Sequence, residues 1–191
     1  MKIGCVIMAS GMARRFGSNK LLHDFHGEPV MVRILRSVKA AGIDFPITVT
    51  RHPEVVEICN TEGIPSILHE LPKRSDTVRL GMEYLLKACP ELDGIMFAAS
   101  DQPCLSWESI AALCAALKAQ PECIHRLSHK GAEGNPVLFP KSTFDALCHL
   151  PEGKGGGAVI KAHPELVRLV EVSDPRELVD VDTPEILQSL L

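Results

Sequence analysis

The reading of this chain is decided by Lys2–Leu22, KIGCVIMASGMARRFGSNKLL. Its opening run of Ile3, Gly4, Cys5, Val6, Ile7 and Met8 has the unbroken apolar character of a strand buried on both faces, as in a parallel sheet. The run then breaks into Ala9, Ser10 and Gly11, with Arg14, Arg15, Gly17 and Lys20 close behind. A buried strand that ends in a small-residue turn brings backbone N–H groups up to whatever sits at its C-terminal edge. The cations just beyond make that visitor an anion, and a phosphate chain is the natural candidate. Spacing excludes two familiar phosphate loops. Five residues separate Gly11 from Gly17, and Lys20 comes three after Gly17. That is not G-x-x-x-x-G-K-[ST], and G-x-G-x-x-G is absent.

The rest of the chain reads as that of a soluble protein. Its 191 residues suffice for one α/β domain or two very small ones, and no linker, repeat or low-complexity segment divides it, so residues 1–191 read as a single domain. Hydrophobic content of 46% with only 4% aromatic predicts an aliphatic core. A net charge of −4 argues against nonspecific nucleic-acid binding, which needs a basic surface. The first apolar run is far short of a membrane span and unlike a leader, so a cytoplasmic, membrane-free location is expected. Seven scattered cysteines without a C-x-x-C pair read as reduced thiols. Cys104 lies beside a suspected site but has no histidine nearby in sequence to activate it, so a structural role is expected. The eight histidines show no zinc spacing.

Along the chain, Pro29 suits a first helical turn, and Val30, Val32, Ile34, Leu35 and Val38 continue a helix to Ala41, with Gly42 as its stop. Strands are expected at Ile47–Thr50 and Ile64–Leu68, with a short helix at Glu54–Asn60 between them. This alternation calls for a parallel sheet covered by helices. Ser75, Asp76 and Thr77 open a helix with Val78, Leu80, Met82, Leu85 and Leu86 on its apolar side; they are natural caps, and such a helix start can also hold a phosphate or a base. Gly94–Ala99 is a fourth strand delivering Ser100, Asp101, Gln102 and Pro103, and a carboxylate just past a buried strand lies where open α/β sheets bind ligands. The helix from Ser106 turns Ile110, Leu113, Cys114 and Leu117 to the core, with Trp107 expected to pack. Gly131–Pro136 reads as a glycine-bracketed turn before a short strand at Val137–Phe139, followed by a helix through Leu147. Glu152–Gly157 is the most glycine-dense run, a nest at a helix start or a lid. Leu166–Val172 and Leu178–Val181 are the last strand candidates. Asp180 and Asp182 bracket Val181, which puts both on one side of an extended segment, with Thr183 and Pro184 starting a helix.

Taken together these stretches resemble the nucleotidyltransferases related to molybdenum cofactor biosynthesis. Met8, Ala9, Ser10 and Gly11 stand for the first four positions of L-A-A-G-x-S-x-R-M-G-x-x-K, and Arg15, Phe16, Gly17 and Lys20 for the last; Ser10 and Ala13 are small replacements. Ser75, Thr77, Val78 and Gly81 fit the serine-rich G-x-S-x-S-L-x-x-G segment, with Lys73 in place of its leading glycine. Asp101-Gln102-Pro103 matches the D-Q-P of the cytidylyltransferase branch. Gly131, Gly134 and Pro136 fit the G-x-x-G-x-P segment that approaches the acceptor. Asp182-Thr183-Pro184-Glu185 falls within a run similar to D-I-D-T-P-E-D. The glycine-dense run lacks the aspartate of the family's G-D-x-G loop.

The resemblance implies a three-layer Rossmann-like fold with a mainly parallel sheet. It implies transfer of CMP from CTP to the phosphate of a molybdopterin-type acceptor, with pyrophosphate released and a molybdoenzyme as possible recipient of the product. Arg15, Lys20 and Asp101 would be catalytic. Ala9, Ser10, Gly11, Arg15, Lys20, Ser75 and Thr77 would bind nucleotide, and Gly134, Asn135 and Pro136 the acceptor. Asp101 and Asp182 would hold Mg²⁺, a hard cation that takes oxygen ligands and bridges phosphate oxygens, while Asp180 would be structural. A guanylyltransferase, a sugar- or alditol-phosphate cytidylyltransferase, and a non-catalytic nucleotide or pterin carrier are the rival readings.

Overall fold

The computed structural model describes residues 1–11 and 16–191. In chain order its elements are β1 (Ile3–Ala9), β2 (Asp24–Phe25), β3 (Glu28–Pro29), α1 (Val30–Ala40), β4 (Phe45–Thr50), α2 (Pro53–Glu62), β5 (Ser66–Leu68), α3 (Arg74–Ala88), β6 (Gly94–Ala99), α4 (Trp107–Ala119), β7 (Ile124–His129), β8 (Ala132–Pro140), α5 (Phe144–Cys148), α6 (Gly157–Ala162), β9 (Val167–Glu171) and α7 (Pro184–Leu190). Short 3₁₀ turns at Lys20–Leu22, Lys141–Thr143, Pro164–Leu166 and Pro175–Leu178 link them.

The apolar run of β1 lies where its composition demands, in the interior of a seven-stranded sheet of order β5-β4-β1-β6-β8-β7-β9. It pairs in parallel with β4 on one side and β6 on the other. β8 is antiparallel to both β6 and β7, and β9 returns parallel to β7. The sheet is thus mainly parallel, as expected.

Successive residues of β1 feed opposite faces. Cys5, Ile7 and Ala9 join α1, α2 and α4 in one core, while Val6 joins α3, α5 and α6 in the other. Burial of each such aliphatic side chain contributes about 1.5–3 kcal/mol. Two glycines allow the close approach of α3. A Cβ on Gly81 would lie 2.6 Å from Val6 Cγ1, and one on Gly4 would lie 2.8 Å from Leu85 Cδ1. A third, smaller cluster of Phe16, Phe25, Val30, Val181, Leu187 and Leu190 joins the first loop to the C-terminal segment.

Four local expectations are corrected. Leu178–Val181 is not a strand: Asp174 Oδ1 accepts from the Arg176 N–H (2.9 Å) and winds Pro175–Leu178 into a 3₁₀ turn. Gly131–Pro136 is mostly strand, because the reversal is made by Lys130 and Gly131 alone, with φ of 49° and 83°. Pro29 ends the β2–β3 hairpin and sits at the cap of α1 rather than inside its first turn. Trp107 is 47% exposed and therefore not a core residue.

Candidate active site

The C-terminal ends of β4, β1 and β6 meet at one edge of the sheet, and side chains from the neighbouring strands hold the carbonyls at the end of β1. The Ser100 hydroxyl donates to Met8 O (2.8 Å), and the Thr50 hydroxyl donates to Ala9 O (3.0 Å). Ser10 Oγ donates to Val49 O (3.1 Å), and His52 Nε2 donates to Gly11 O (2.9 Å). A Cβ on Gly11 would meet nothing within 4 Å among the described residues.

Ser10 has one hydroxyl proton, and Val49 O takes it. The 2.9 Å contact between Ser10 Oγ and His69 Nε2 is therefore donated by the histidine. That leaves His69 Nδ1 as a bare acceptor, buried and without a hydrogen-bond partner among the described residues. Burial, with Arg51 next in effect, holds the His69 imidazole below its ordinary pKa.

Beside this loop lies the charged centre. Asn19 Oδ1 accepts from the Leu21 N–H (3.2 Å) and shapes the turn that begins at Lys20. The Lys20 ammonium donates to both Asp101 Oδ2 and Asp182 Oδ1, the latter at 3.0 Å. Burial works against its charge, but the Asp101 and Asp182 carboxylates together outweigh this and raise its pKa. Asp101 follows β6 directly. Asp182 arrives from 81 residues further along, held by two anchors: the Val181 N–H donates to Asp101 O (2.9 Å), and the Val181 side chain is fully buried in the third cluster. Phe16, four residues before Lys20, sits in that same cluster. Asp180 stands on the same segment. Partial burial, followed by the Asp101 and Asp182 charges, pushes it up to about 6.

The sequence-derived residues therefore divide. Ala9, Ser10, Gly11, Lys20, Asp101 and Asp182 gather at this edge. Gly134 packs against Leu178, where an added Cβ would lie 2.8 Å from Leu178 Cδ2, and this brings Gly134, Asn135 and the buried Pro136 beside the segment that carries Asp182. At the start of α3, Ser75 Oγ accepts from the Gly153 N–H (3.0 Å), and Thr77 is 1% exposed. The helix start itself is closed by the Lys73 N–H donating to Asp76 Oδ2 (3.1 Å). The glycine-dense run packs on this start through a Lys73–Glu152 ion pair, and Gly156 lies so close to Phe139 that a Cβ would come within 2.7 Å of its ring. Burial raises the pKa of the Cys104 thiol, away from nucleophilic use. Arg15, expected to be catalytic, lies outside the described residues. His52, His69, Thr50 and Ser100 were not singled out from the sequence, because their partners are far away in the chain and no local spacing marks them.

The donor set suits a hard divalent cation. Two carboxylates converge on one positive charge, the Lys20 ammonium, at the sheet edge. Mg²⁺ usually takes only one or two protein carboxylates and completes its shell with water and substrate phosphates. No group of three or more His, Cys, Asp or Glu side chains able to hold a metal occurs among the described residues, and the pair that converges here is Asp101 and Asp182.

A parallel sheet whose C-terminal edge gathers a small-residue loop, a lysine and a carboxylate pair defines an α/β enzyme of phosphate transfer. Residues 5–167 match the MobA-like NTP transferase domain, and the chain belongs to that family of nucleotidyltransferases. The purine catabolism protein PucB of Bacillus subtilis is 26% identical over 201 residues, which cover 94% of this chain and 91% of PucB. The 3-deoxy-manno-octulosonate cytidylyltransferase of Gemmatimonas aurantiaca is 30% identical over 102 residues, covering 51% of this chain and 40% of that enzyme. The solved structure of Rv0371c from Mycobacterium tuberculosis H37Rv superposes with a TM-score of 0.83 at 22% identity, covering 100% of this chain and 98% of that one. Rv0371c has also been solved in complex with manganese. No helix among the described residues is long and apolar enough to cross a membrane.

Proposed function

We propose that the protein transfers CMP from CTP to the phosphate of a molybdopterin-type acceptor and releases pyrophosphate. The observation that carries this reading is the Lys20 ammonium held between Asp101 and Asp182 at the sheet edge where the Ser10–Gly11 turn ends β1. An acceptor phosphate oxygen attacks the α-phosphorus in line; the new P–O bond forms as the bond to the β-phosphate bridging oxygen breaks, and pyrophosphate leaves with that electron pair. An ionised phosphate is already a nucleophile, so no general base is needed, and the work of the protein is positioning and charge neutralisation. The Gly11 loop amides hold the triphosphate. Lys20, kept charged by its two carboxylates, supplies a cation to the phosphates. Asp101 and Asp182 would hold Mg²⁺, which supplies charge neutralisation on the α-phosphate and the acceptor. Gly134, Asn135 and Pro136, beside the Asp182 segment, are placed to border the acceptor. The resemblance assigns Arg15 to the leaving pyrophosphate. CTP is favoured by Asp101-Gln102-Pro103 and by the cytidylyltransferase among the relatives.

The test is pyrophosphate release with CTP, GTP, ATP and UTP in turn, with Mg²⁺ and molybdopterin present. Release with CTP that disappears in Asp101→Ala supports the reading. Release with GTP alone keeps the mechanism and overturns the base. Release only when a sugar phosphate or sugar acid replaces molybdopterin overturns the acceptor. CTP binding without release under any of these conditions favours a carrier.

A further inference from the structure

We infer that Glu177 is a positioning residue for the active-site carboxylate Asp182, a conclusion that rests on the proposed metal role of Asp101 and Asp182. Glu177 is 6% exposed, an unusual place for a carboxylate unless it is well partnered. Its Oε2 accepts from the Ser106 N–H (2.9 Å) and from the Ser106 hydroxyl (2.6 Å) at the start of α4, where the helix dipole favours a negative charge. The helix does not need this for capping. Ser106 already occupies the cap position, and its Oγ accepts from the Ser109 N–H (3.1 Å). What Glu177 adds is a tie between segments 71 residues apart, from the last loop to the loop that carries Asp101.

That last loop needs tying. Val179–Asp182 belongs to no helix or strand and so has no ladder to hold it. Other links to the same loop include the Val181 N–H to Asp101 O at 2.9 Å, a long 3.4 Å contact from Gln102 Nε2 to Leu178 O, and a side-chain bond between Asp180 and Gln102. Glu177 adds a charged, buried tie to this seam, and the seam sets how far Asp182 stands from Asp101 and Lys20. Groups that orient a metal-binding side chain without touching the metal typically change its affinity 10- to 100-fold when removed.

The experiment measures Mn²⁺ affinity by the electron paramagnetic resonance of the free ion, at saturating CTP, in the full chain. The variants are Glu177→Ala, Glu177→Gln, Ser106→Ala, the Glu177→Ala/Ser106→Ala pair, and Asp101→Asn. Thr143→Ala, which removes a buried hydroxyl bonded to Pro140 O far along the chain, serves as the stability control. Expected are Mn²⁺ binding weakened at least tenfold in Glu177→Ala and less in Glu177→Gln, no further loss in the pair, and metal-free CTP affinity within twofold throughout the Glu177 series. Thr143→Ala lowers the melting temperature and leaves Mn²⁺ affinity unchanged. If folded Glu177→Ala and Glu177→Gln bind Mn²⁺ as the parent does while Asp101→Asn does not, the positioning role is overturned and the metal site stands. If Asp101→Asn also binds as the parent does, the metal reading fails and the inference fails with it. Should neither Glu177 variant fold, Ser106→Ala decides: a loss of Mn²⁺ affinity beyond that of Thr143→Ala supports the tie, and parental affinity overturns it.

Discussion

Lys20 contacts both carboxylates of the site, so its replacement separates charge from shape. Lys20→Met keeps most of the volume but leaves Asp101 and Asp182 facing each other without this cation. We expect transfer activity to fall by about 10²–10³. We also expect a loss of about 1–2 kcal/mol in urea unfolding, below the figure for a fully buried pair because Asp182 is partly open to water. Adding Asp101→Asn should restore most of that stability, since it removes the repulsion that the first change exposes; strictly additive losses would show that the three groups are not coupled. His69 makes a pH prediction. Its folded pKa lies below the ordinary 6.5, so the folded state disfavours the imidazolium. The associated stability is fully present above 6.5 and is lost as pH falls through 6.5 toward the lowered folded value. His69→Gln should therefore flatten the fall in urea midpoint between about pH 7 and pH 5. The effect is small, under about 1 kcal/mol, because the ring is only partly buried and the Asp76 carboxylate opposes the shift. An unchanged slope would mean that other groups set this part of the profile.

Among the elements, the contact of α3 with β1 is close enough to bear on the site. Gly81→Ala would drive a methyl to 2.6 and 2.7 Å from the two Val6 Cγ atoms, both fixed in the core. Overpacking of this kind costs about 1–3 kcal/mol, and Val6→Ala in the same chain should recover part of it. Chemical denaturation of the two single variants and the pair checks this, and Gly81→Ala at parental stability would show that α3 can move away freely. Elements of this kind were legible from sequence because one local signal dominates each. β1 and β6 are unbroken apolar runs, and α1 ends at Gly42, whose φ of 72° suits glycine. The misreadings share a cause. Leu178–Val181 has the apolar look of a strand, but the Asp174 cap bends its start and Val181 gives its N–H to Asp101 O instead of a ladder. The glycines around Gly134 look like a turn, but Gly134 is glycine because Leu178 fills the space of its Cβ, a fact that no window of sequence contains.

At the scale of the whole molecule, the site is assembled from both ends of the chain. The residues legible in the sequence, Ser10, Gly11, Lys20, Asp101 and Asp182, belong to local strings. The bonds that hold them, Ser10 to His69 and Ser106 to Glu177, span 59 and 71 residues and leave no local trace. The third cluster closes this assembly: Leu187 and Leu190 of α7 pack with Phe16 from the first loop and with Val181 next to Asp182. The sheet and its two main cores include none of these residues. Leu187→Ala should therefore cost about 2–3 kcal/mol of stability, the lower part of the range for a buried leucine, while the far-UV circular dichroism stays that of the parent. Activity should fall much further than the unfolded fraction explains, because Lys20 and Asp182 lose the packing that brings them together. The comparison is made well below the melting temperature, where nearly all of the variant is folded. A specific activity still equal to the parent's there would show that the hydrogen bonds at Asp101 hold the two ends in register without the cluster.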